Sequence, residues 1–171
     1  SKFLISYFIG SLMGAMIVGK LRGGVDIRTM GSGNAGGTNA LRTQGMWFAL
    51  GVVVIDVGKG YVGAGIVPGL DLPFVGTDPS ISRTWLTICC AAAAVLGHVW
   101  PIYHRFKGGK GAATFIGTLI VLGPKLIVGV ILVWMLIVVI TGYVGLATMT
   151  AATALPVNGG TWPCPAEAAD A

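Results

Sequence analysis

Apolar runs of membrane-spanning length alternate with short polar segments along this chain. The first run extends from Phe3 to Leu21, and the second, which contains Asp56 and Lys59, extends from Met46 to Val67. A third run covers Thr84 to Tyr103. A helix of about 20 apolar residues crosses the hydrocarbon core of a bilayer, so these runs predict three membrane helices.

Three shorter apolar runs follow in the second half of the chain. At about 1.5 Å per residue, the run from Ala112 to Leu122 is too short to cross a bilayer, and we predict a half-length or tilted helix there. A fifth segment covers Leu126 to Ile140, and a sixth covers Tyr143 to Pro156. The pattern predicts an all-α integral membrane protein, a polytopic helix bundle of about five to six hydrophobic segments.

The polar segments between these runs predict loops. One loop extends to Gly45, and the prolines and glycines between Pro68 and Pro79 predict another. We assign residues 1–157 to a single membrane domain. Residues 158–171 are rich in glycine, proline and alanine, and this composition predicts a disordered tail.

The composition excludes a soluble globular protein. Of the 171 residues, 54% are hydrophobic and only 10% are charged, whereas about a quarter of the residues in a soluble domain are charged. The mean hydropathy is +0.84. The three cysteines form neither a CxxC pair nor a disulfide framework, and the sequence contains no cluster of metal ligands, so we expect no metal site.

The net charge of +5 comes largely from cations that flank the apolar runs. They form two clusters, one after the first run and one after the third: Lys20, Arg22, Arg28 and Arg42; Arg105, Lys107 and Lys110. Because cytoplasmic loops carry an excess of Lys and Arg, both clusters are predicted to face the cytoplasm, with Ser1 outside. The same placement argues against nucleic-acid binding, which uses cations along one face of a soluble domain.

The first polar segment contains a glycine-rich loop, Gly31–Arg42, whose chemistry suits an anion. Its start matches the dinucleotide-binding pattern GxGxxG, but that fold needs a strand before the pattern and a βαβ unit around it. Glycines allow backbone N–H groups to turn toward an anion, and arginine pairs bidentately with phosphate. The candidate anion-binding residues are Gly31, Ser32, Gly33, Asn34, Gly36, Thr38, Asn39 and Arg42. The alternative is a polar turn without a ligand.

A second glycine-rich loop, His98–Gly111, has similar chemistry. It ends in Lys107-Gly108-Gly109-Lys110-Gly111, directly before the short helix predicted from Ala112. The N-terminus of a helix carries partial positive charge and free N–H groups, which attract anions. The loop is not a P-loop, because Gly111 rather than Ser or Thr follows Lys110. Positive-inside anchoring is the alternative, and it accounts for the cations but not for the glycines.

Asp56, Lys59 and His98 lie within the predicted membrane helices. Asp56 and Lys59 are three positions apart, so they can form an ion pair, and ionisable groups at membrane depth are either paired or functional. His98 lies near the cytoplasmic end of the third run, where it can act as a base or bind a substrate. The alternative is a helix-end histidine that contacts a neighbouring loop.

Together these motifs resemble the signatures of the bacterial acyl-phosphate:glycerol-3-phosphate acyltransferases, the PlsY family. Gly31–Arg42 is similar to the first signature of the family, and Gly97–Pro101 followed by Phe106–Thr114 is similar to the second. The segment Asp56–Gly60 also fits, and the resemblance extends to about Ala152.

The resemblance implies transfer of a fatty acyl group from acyl phosphate to glycerol 3-phosphate, which gives lysophosphatidic acid and phosphate. It implies the bacterial inner membrane as the location, no cofactor, and acyl phosphate, glycerol 3-phosphate and membrane lipid as partners. Catalytic roles are expected for Ser32, Arg42, Lys110 and His98. Substrate-binding roles are expected for Gly31, Gly33, Asn34, Gly36, Thr38, Asn39, Lys59, Lys107, Gly108, Gly109, Gly111 and Thr114.

Members of this family continue to a third cytoplasmic motif rich in Asn, Arg and Gly, and nothing similar follows Ala154. We therefore expect the chain to be truncated or altered at its C-terminus. Two further hypotheses remain open. One is a small membrane transporter of a phosphorylated solute, and the other is an inactive homologue that acts as a binding subunit.

Overall fold

The computed structural model describes residues 1–71 and 82–153, which form helices joined by short connections, with no β-strand among them. The predicted all-α fold class is confirmed. In chain order the α-helices are α1 (Lys2–Gly10), α2 (Gly14–Leu21), α3 (Gly37–Gln44), α4 (Met46–Tyr61), α5 (Arg83–Val99), α6 (Ala112–Leu122), α7 (Leu126–Thr141) and α8 (Val144–Thr153). Most of the predicted external loop, the end of the sixth predicted segment at Pro156 and the predicted tail at 158–171 lie outside the described residues.

The first predicted membrane helix is broken in the structure. Its two halves, α1 and α2, are bent by 46° relative to each other. At the break, the backbone N–H of Gly14 donates to Asp56 Oδ1 at 3.1 Å, and the carbonyl of Leu12 accepts from Lys59 Nζ at 2.6 Å. The apolar pattern did not reveal this break, because the residues that stabilise it lie on α4, more than 40 positions away.

The second and third predicted helices lie where the pattern placed them. A π-helical turn (Val62–Ile66) and a short 3-10 helix extend α4, so that the second helix runs from Met46 to Gly69. The third runs from Arg83 to His104, and both are long and apolar enough to cross a membrane. Among the described residues, the broken first helix gives a third candidate span if its halves are counted together.

Among the shorter helices, α6 and α7 agree with the sequence prediction, α8 begins one residue after the predicted sixth segment, and α3 was not predicted. The 11-residue α6 has the predicted bounds, and α7 ends one residue beyond them. In contrast, α3 lies in a segment that was predicted to be a loop. This helix contains few apolar residues, and its buried residues are Asn39 and Ala40, so no apolar run marked it.

Close contacts between glycines and backbone hold the membrane helices together in the compact unit formed by Ser1–Pro124. Gly10 of α1 packs against the backbone of Ala94 on α5, and Gly14 of α2 packs against α4. Gly60 of α4 contacts the backbone of Thr114 on α6. The G-x-x-x-G pair at Gly10 and Gly14 therefore serves two different neighbours, because the helix breaks between them.

The described residues from Lys125 to Thr153 belong to a second compact unit. Its described helices, α7 and α8, pack against each other, and Trp134 Nε1 on α7 donates to Thr148 Oγ1 on α8 at 3.2 Å.

We expect Gly97→Ala to destabilise the protein. A Cβ on Gly97 would lie 2.9 Å from the backbone nitrogen of Ser11 and closer still to the carbonyl oxygen of Tyr7. Overpacking of this kind reduces the free energy of unfolding by about 2 kcal/mol. Thermal unfolding in detergent measures the effect.

Gly58→Ala is the matched control, because a Cβ on Gly58 meets no heavy atom of the described residues within 4 Å. An alanine within a helix is more favourable than a glycine by up to about 1 kcal/mol, so this variant should keep or gain stability. Equal unfolding midpoints for the two variants would contradict the close helix contact at Gly97.

Candidate functional site

A pocket of about 600 Å³ lies where the two glycine-rich loops meet. Residues in and just before the first loop form one side, and residues of the second loop form the other. The lining residues are Asp26, Arg28, Thr29, Gly33, Tyr103, His104, Arg105, Lys107 and Gly108. Segments 70 or more positions apart in the sequence are thus brought together around one space.

The pocket carries an excess of positive charge. Arg28, Arg105 and Lys107 supply three cations to its lining, and Asp26 supplies one carboxylate. Opposing walls with the same sign of charge concentrate the electrostatic field in the space between them. The pocket therefore suits an anionic ligand, and arginine and lysine are the side chains that most often bind phosphate.

Three residues expected to bind substrate line this pocket, namely Gly33, Lys107 and Gly108. The sequence did not single out Arg28 or Arg105 as anion-binding residues, because both were attributed to the orientation of the chain in the membrane. Their only signal was their position beside the glycine-rich loops. Ser32, Arg42 and Lys110 are exposed and are not among the residues that line the pocket.

Arg28 is oriented by Asp26. Its Nε donates to Asp26 Oδ1 at 3.0 Å, and its Nη2 donates to Asp26 Oδ2 at 2.7 Å. The same carboxylate caps a short 3-10 helix (Ile27–Thr29) by accepting from the backbone N–H of Arg28. The hydrogen bond from the guanidinium lowers the pKa of Asp26, and partial burial opposes this shift. Asp26 therefore remains a carboxylate that holds the guanidinium at the edge of the pocket.

Asn39 organises the first glycine-rich loop from within. Its Oδ1 accepts from the backbone N–H of Ser32 at 3.0 Å, and its Nδ2 donates to the carbonyls of Ile27 at 2.9 Å and Met30 at 3.1 Å. The side chain is buried, with both amide hydrogens engaged. Gly31 adopts a φ of +57° beside it, and a Cβ there would collide with Asn39 Oδ1. The structure thus places Asn39 beneath the loop, although a substrate contact was expected for it.

Lys59 is buried and has two partners. Its Nζ lies 2.9 Å from Asp56 Oδ1, which confirms the ion pair suggested by their spacing, and it also donates to the carbonyl of Leu12. Only 5% of Lys59 is exposed. A direct contact between Lys59 and substrate remains a prediction.

His98 lies beneath the second glycine-rich loop. It is 2% exposed, and its Nδ1 lies 3.5 Å from Asp56 Oδ1 without forming a hydrogen bond to any described residue. Its carbonyl accepts from the backbone N–H of Gly109 at 3.1 Å. A Cβ on Gly109 would collide with His98 Nε2, and one on Gly108 would collide with the carbonyl of His98. The two glycines therefore allow the loop to pack directly on this histidine.

The second glycine-rich loop leads into the N-terminus of α6, as the sequence predicted. Gly111 caps this helix in the left-handed conformation, with a φ of +81°. Thr114, in the first turn, is fully buried, and its Oγ1 has no hydrogen-bond partner among the described residues. Lys110, directly before the cap, is exposed. A lysine and the free N–H groups of a helix N-terminus lie together here, as an anion site requires.

Known proteins share this sequence over most of its length. Residues 2–165 match the protein family described as glycerol-3-phosphate acyltransferase, so the match continues past Ala152, the predicted limit of the resemblance. The glycerol-3-phosphate acyltransferase of Chlorobaculum tepidum is 41% identical over 155 residues, which cover 90% of this chain and 67% of that protein. The corresponding protein of Chlorobium luteolum is 40% identical over 154 residues, covering 90% and 66%. The chain thus spans about two thirds of the length of these curated relatives.

Two solved structures are similar to the fold. The crystal structure of PlsY (YgiH), an integral membrane glycerol 3-phosphate acyltransferase, in its glycerol 3-phosphate form has a TM-score of 0.69 and 31% identity, covering 89% of this chain and 71% of that one. The lysophosphatidic acid form of PlsY has a TM-score of 0.68 and 30% identity, covering 89% and 70%.

We expect Asn39→Ala to reduce the free energy of unfolding by about 2 kcal/mol, because each buried backbone group left without its partner costs about 1 to 3 kcal/mol. Denaturation in detergent measures the loss. Asn34→Ala is the control, since the side chain of Asn34 has no hydrogen bond to a described residue, and surface substitutions change stability by about 0.5 kcal/mol or less. If both variants unfolded alike, the proposed role of Asn39 beneath the loop would be wrong.

The Asp26–Arg28 pair should make a small contribution to stability that depends on pH. Because folding lowers the pKa of Asp26, its contribution is present above the carboxyl pKa of the unfolded chain and is lost as the pH falls through the folded value. We expect wild type to exceed Asp26→Asn by about 0.5 kcal/mol at neutral pH. This difference should shrink as the pH falls below the ordinary carboxyl pKa and vanish below the lowered pKa of the folded state. Unfolding midpoints measured between these limits test this, and a gap that persists in acid would refute it.

Proposed function

The chain belongs to the glycerol-3-phosphate acyltransferase family, and we propose that it transfers a fatty acyl group from acyl phosphate to a hydroxyl of glycerol 3-phosphate. The family match and the similar curated proteins confirm the family that the two glycine-rich loops predicted. The observation that carries the proposal is the meeting of both loops at one cationic pocket. Both proposed substrates are phosphorylated, so the reaction needs two anions held close together.

In the proposed reaction the hydroxyl oxygen of glycerol 3-phosphate attacks the carbonyl carbon of acyl phosphate. A C–O ester bond forms, and the C–O bond to the phosphate group breaks, so that phosphate leaves with the bonding electrons. The hydroxyl proton ends on a phosphate oxygen. Phosphate is a good leaving group, so the reaction does not depend on a strong protein base, and no cofactor is required.

The protein contributes chiefly position and charge in this proposal. Holding two reactants in contact lowers the barrier by several kcal/mol, and cations near the carbonyl stabilise the developing oxyanion and the leaving phosphate. We assign Ser32, Lys110 and the free N–H groups of the glycine turns to acyl phosphate. Arg42 and Asn34 are assigned to glycerol 3-phosphate, whereas Lys59 is buried and engaged by Asp56 and by the carbonyl of Leu12.

Arg28, Arg105 and Lys107 add to this set. Their place in the pocket lining supports a role in attracting a phosphorylated substrate and holding its phosphate at the entrance. We further propose that the chain lies in the bacterial inner membrane with both loops on the cytoplasmic side. The clustering of cations on these loops supports that orientation.

A transporter of a phosphorylated solute is the second candidate, and the broken first span favours it, since transporters often bind solutes at broken helices. Both backbone groups nearest the break have protein partners, however: the carbonyl of Leu12 bonds to Lys59, and the N–H of Gly14 bonds to Asp56. A broken helix that binds solute needs such groups to be free. Counterflow of labelled glycerol 3-phosphate in proteoliposomes would support transport, and its absence would remove this candidate.

The direct test is product formation from labelled glycerol 3-phosphate and palmitoyl phosphate by the purified chain. We expect lysophosphatidic acid with palmitoyl phosphate and none with palmitoyl-CoA. The enzyme of Chlorobaculum tepidum, assayed in the same detergent, is the positive control. No product from this chain alongside an active control would refute the proposed function and favour the binding-subunit hypothesis.

Lys110→Ala should reduce kcat by about 100-fold or more, because removal of one group that stabilises an oxyanion has an effect of this size. Arg22→Ala is the matched control. It removes one cation from the same predicted side of the membrane, and Arg22 is exposed and is not among the pocket-lining residues. Equal losses in both variants would show that Lys110 acts only through net charge.

A further inference from the structure

One carboxylate oxygen of Asp56 lies close to polar groups of three helices, α2, α4 and α5. Oδ1 of Asp56, on α4, accepts from the backbone N–H of Gly14 at the start of α2 and lies 2.9 Å from Lys59 Nζ. The same oxygen lies 3.5 Å from Nδ1 of His98 on α5. Asp56 is 1% exposed. Its carboxylate is enclosed by protein atoms.

The connection continues from His98 to the second glycine-rich loop. The backbone carbonyl of His98 accepts a hydrogen bond from the N–H of Gly109. The imidazole ring of His98 packs against Gly109 so closely that a Cβ on Gly109 would collide with it. Lys110 follows directly. A displacement of the His98 ring would therefore shift the backbone that carries Lys107 and Lys110.

We propose that Asp56 is a positioning residue for the acyl transfer: together with Lys59 it fixes the broken first span. Its carboxylate, 3.5 Å from Nδ1 of His98, attracts the imidazole electrostatically and keeps it beneath the second glycine-rich loop, so that this loop presents its cations to the substrates. The proposal rests on the function proposed above. It gives His98 a positioning role beneath the loop in place of the role of a base. A buried carboxylate is suited to this role, because it can accept from several donors at once.

The test variant is Asp56→Asn combined with Lys59→Gln, which removes both charges with little change of shape. Removal of only one partner would leave an uncompensated buried charge and could unfold the protein. The control is Ser6→Ala. It removes another buried hydrogen bond within the membrane, from Ser6 Oγ to the carbonyl of Gly63 at 2.9 Å, and neither residue contacts the second glycine-rich loop.

Two measurements apply to both variants. The first is the kinetics of product formation from palmitoyl phosphate and glycerol 3-phosphate. We expect kcat of the double variant to fall about 10- to 100-fold, because small displacements of catalytic groups have effects of this size. The KM for glycerol 3-phosphate should stay nearly unchanged. The second is the rate of tryptic cleavage at Arg105, Lys107 and Lys110, relative to cleavage at Lys125 as an internal reference. We expect this ratio to rise several-fold in the double variant and to stay unchanged in Ser6→Ala.

The outcomes separate this proposal from the proposed function. If wild type makes no product, the proposed function fails, and the cleavage ratio still tests the positioning role. If wild type is active and the double variant matches Ser6→Ala in kcat and cleavage, the positioning role is wrong. A rise in KM with constant kcat would also overturn it, because that result would make Lys59 a substrate ligand.

His98→Asn provides a second variant in case the double variant does not fold. Asparagine keeps a polar atom near the position of Nδ1 and removes the part of the ring that contacts Gly109. We expect the same loss of kcat and the same rise in the cleavage ratio. An unchanged kcat and an unchanged ratio in a folded His98→Asn protein would overturn the proposal.

Discussion

The arrangement of helices around the site depends on the buried pair of Asp56 and Lys59. The first span breaks between α1 and α2, which leaves a carbonyl at Leu12 and an N–H at Gly14 without helical partners. Unpaired backbone groups are costly where no water can reach them. Asp56 and Lys59 lie one turn apart on α4, so they pair with both groups and also neutralise each other. Each charge would be unfavourable here without the other.

The bend and the close helix contacts determine where the loops emerge. Gly10 brings α1 onto α5, and Gly60 brings α4 onto α6, each through direct contact with backbone. The first glycine-rich loop follows α2, and the second follows α5, so both loops leave the helices at one end of the unit and enclose the pocket. The proposed site for two phosphorylated substrates draws on this convergence, because the pocket takes cations from both loop regions.

The sequence predicted the helices that coincide with long apolar runs and missed the elements that depend on polar contacts. The helix over Ala112–Leu122 was predicted with its observed bounds, since an uninterrupted apolar run ended by Gly-Pro leaves little choice. Helix α3 was missed because it is stabilised partly through Asn39, whose amide bonds to the preceding loop. Arg28 was missed as a pocket residue because its orientation comes from Asp26 and its partners across the pocket come from the second loop.

By itself, the sequence determined the fold class, the family and the two cationic glycine-rich loops, because hydropathy, glycine spacing and charge placement are local properties of the chain. The sequence also suggested the ion pair of Asp56 and Lys59, since their spacing along one helix face is local as well. Only the tertiary structure decided what that pair holds. The break at Leu12–Gly14 and the position of His98 beneath Gly109 require contacts between residues far apart in the chain, and hydrophobic periodicity carries no information about such contacts.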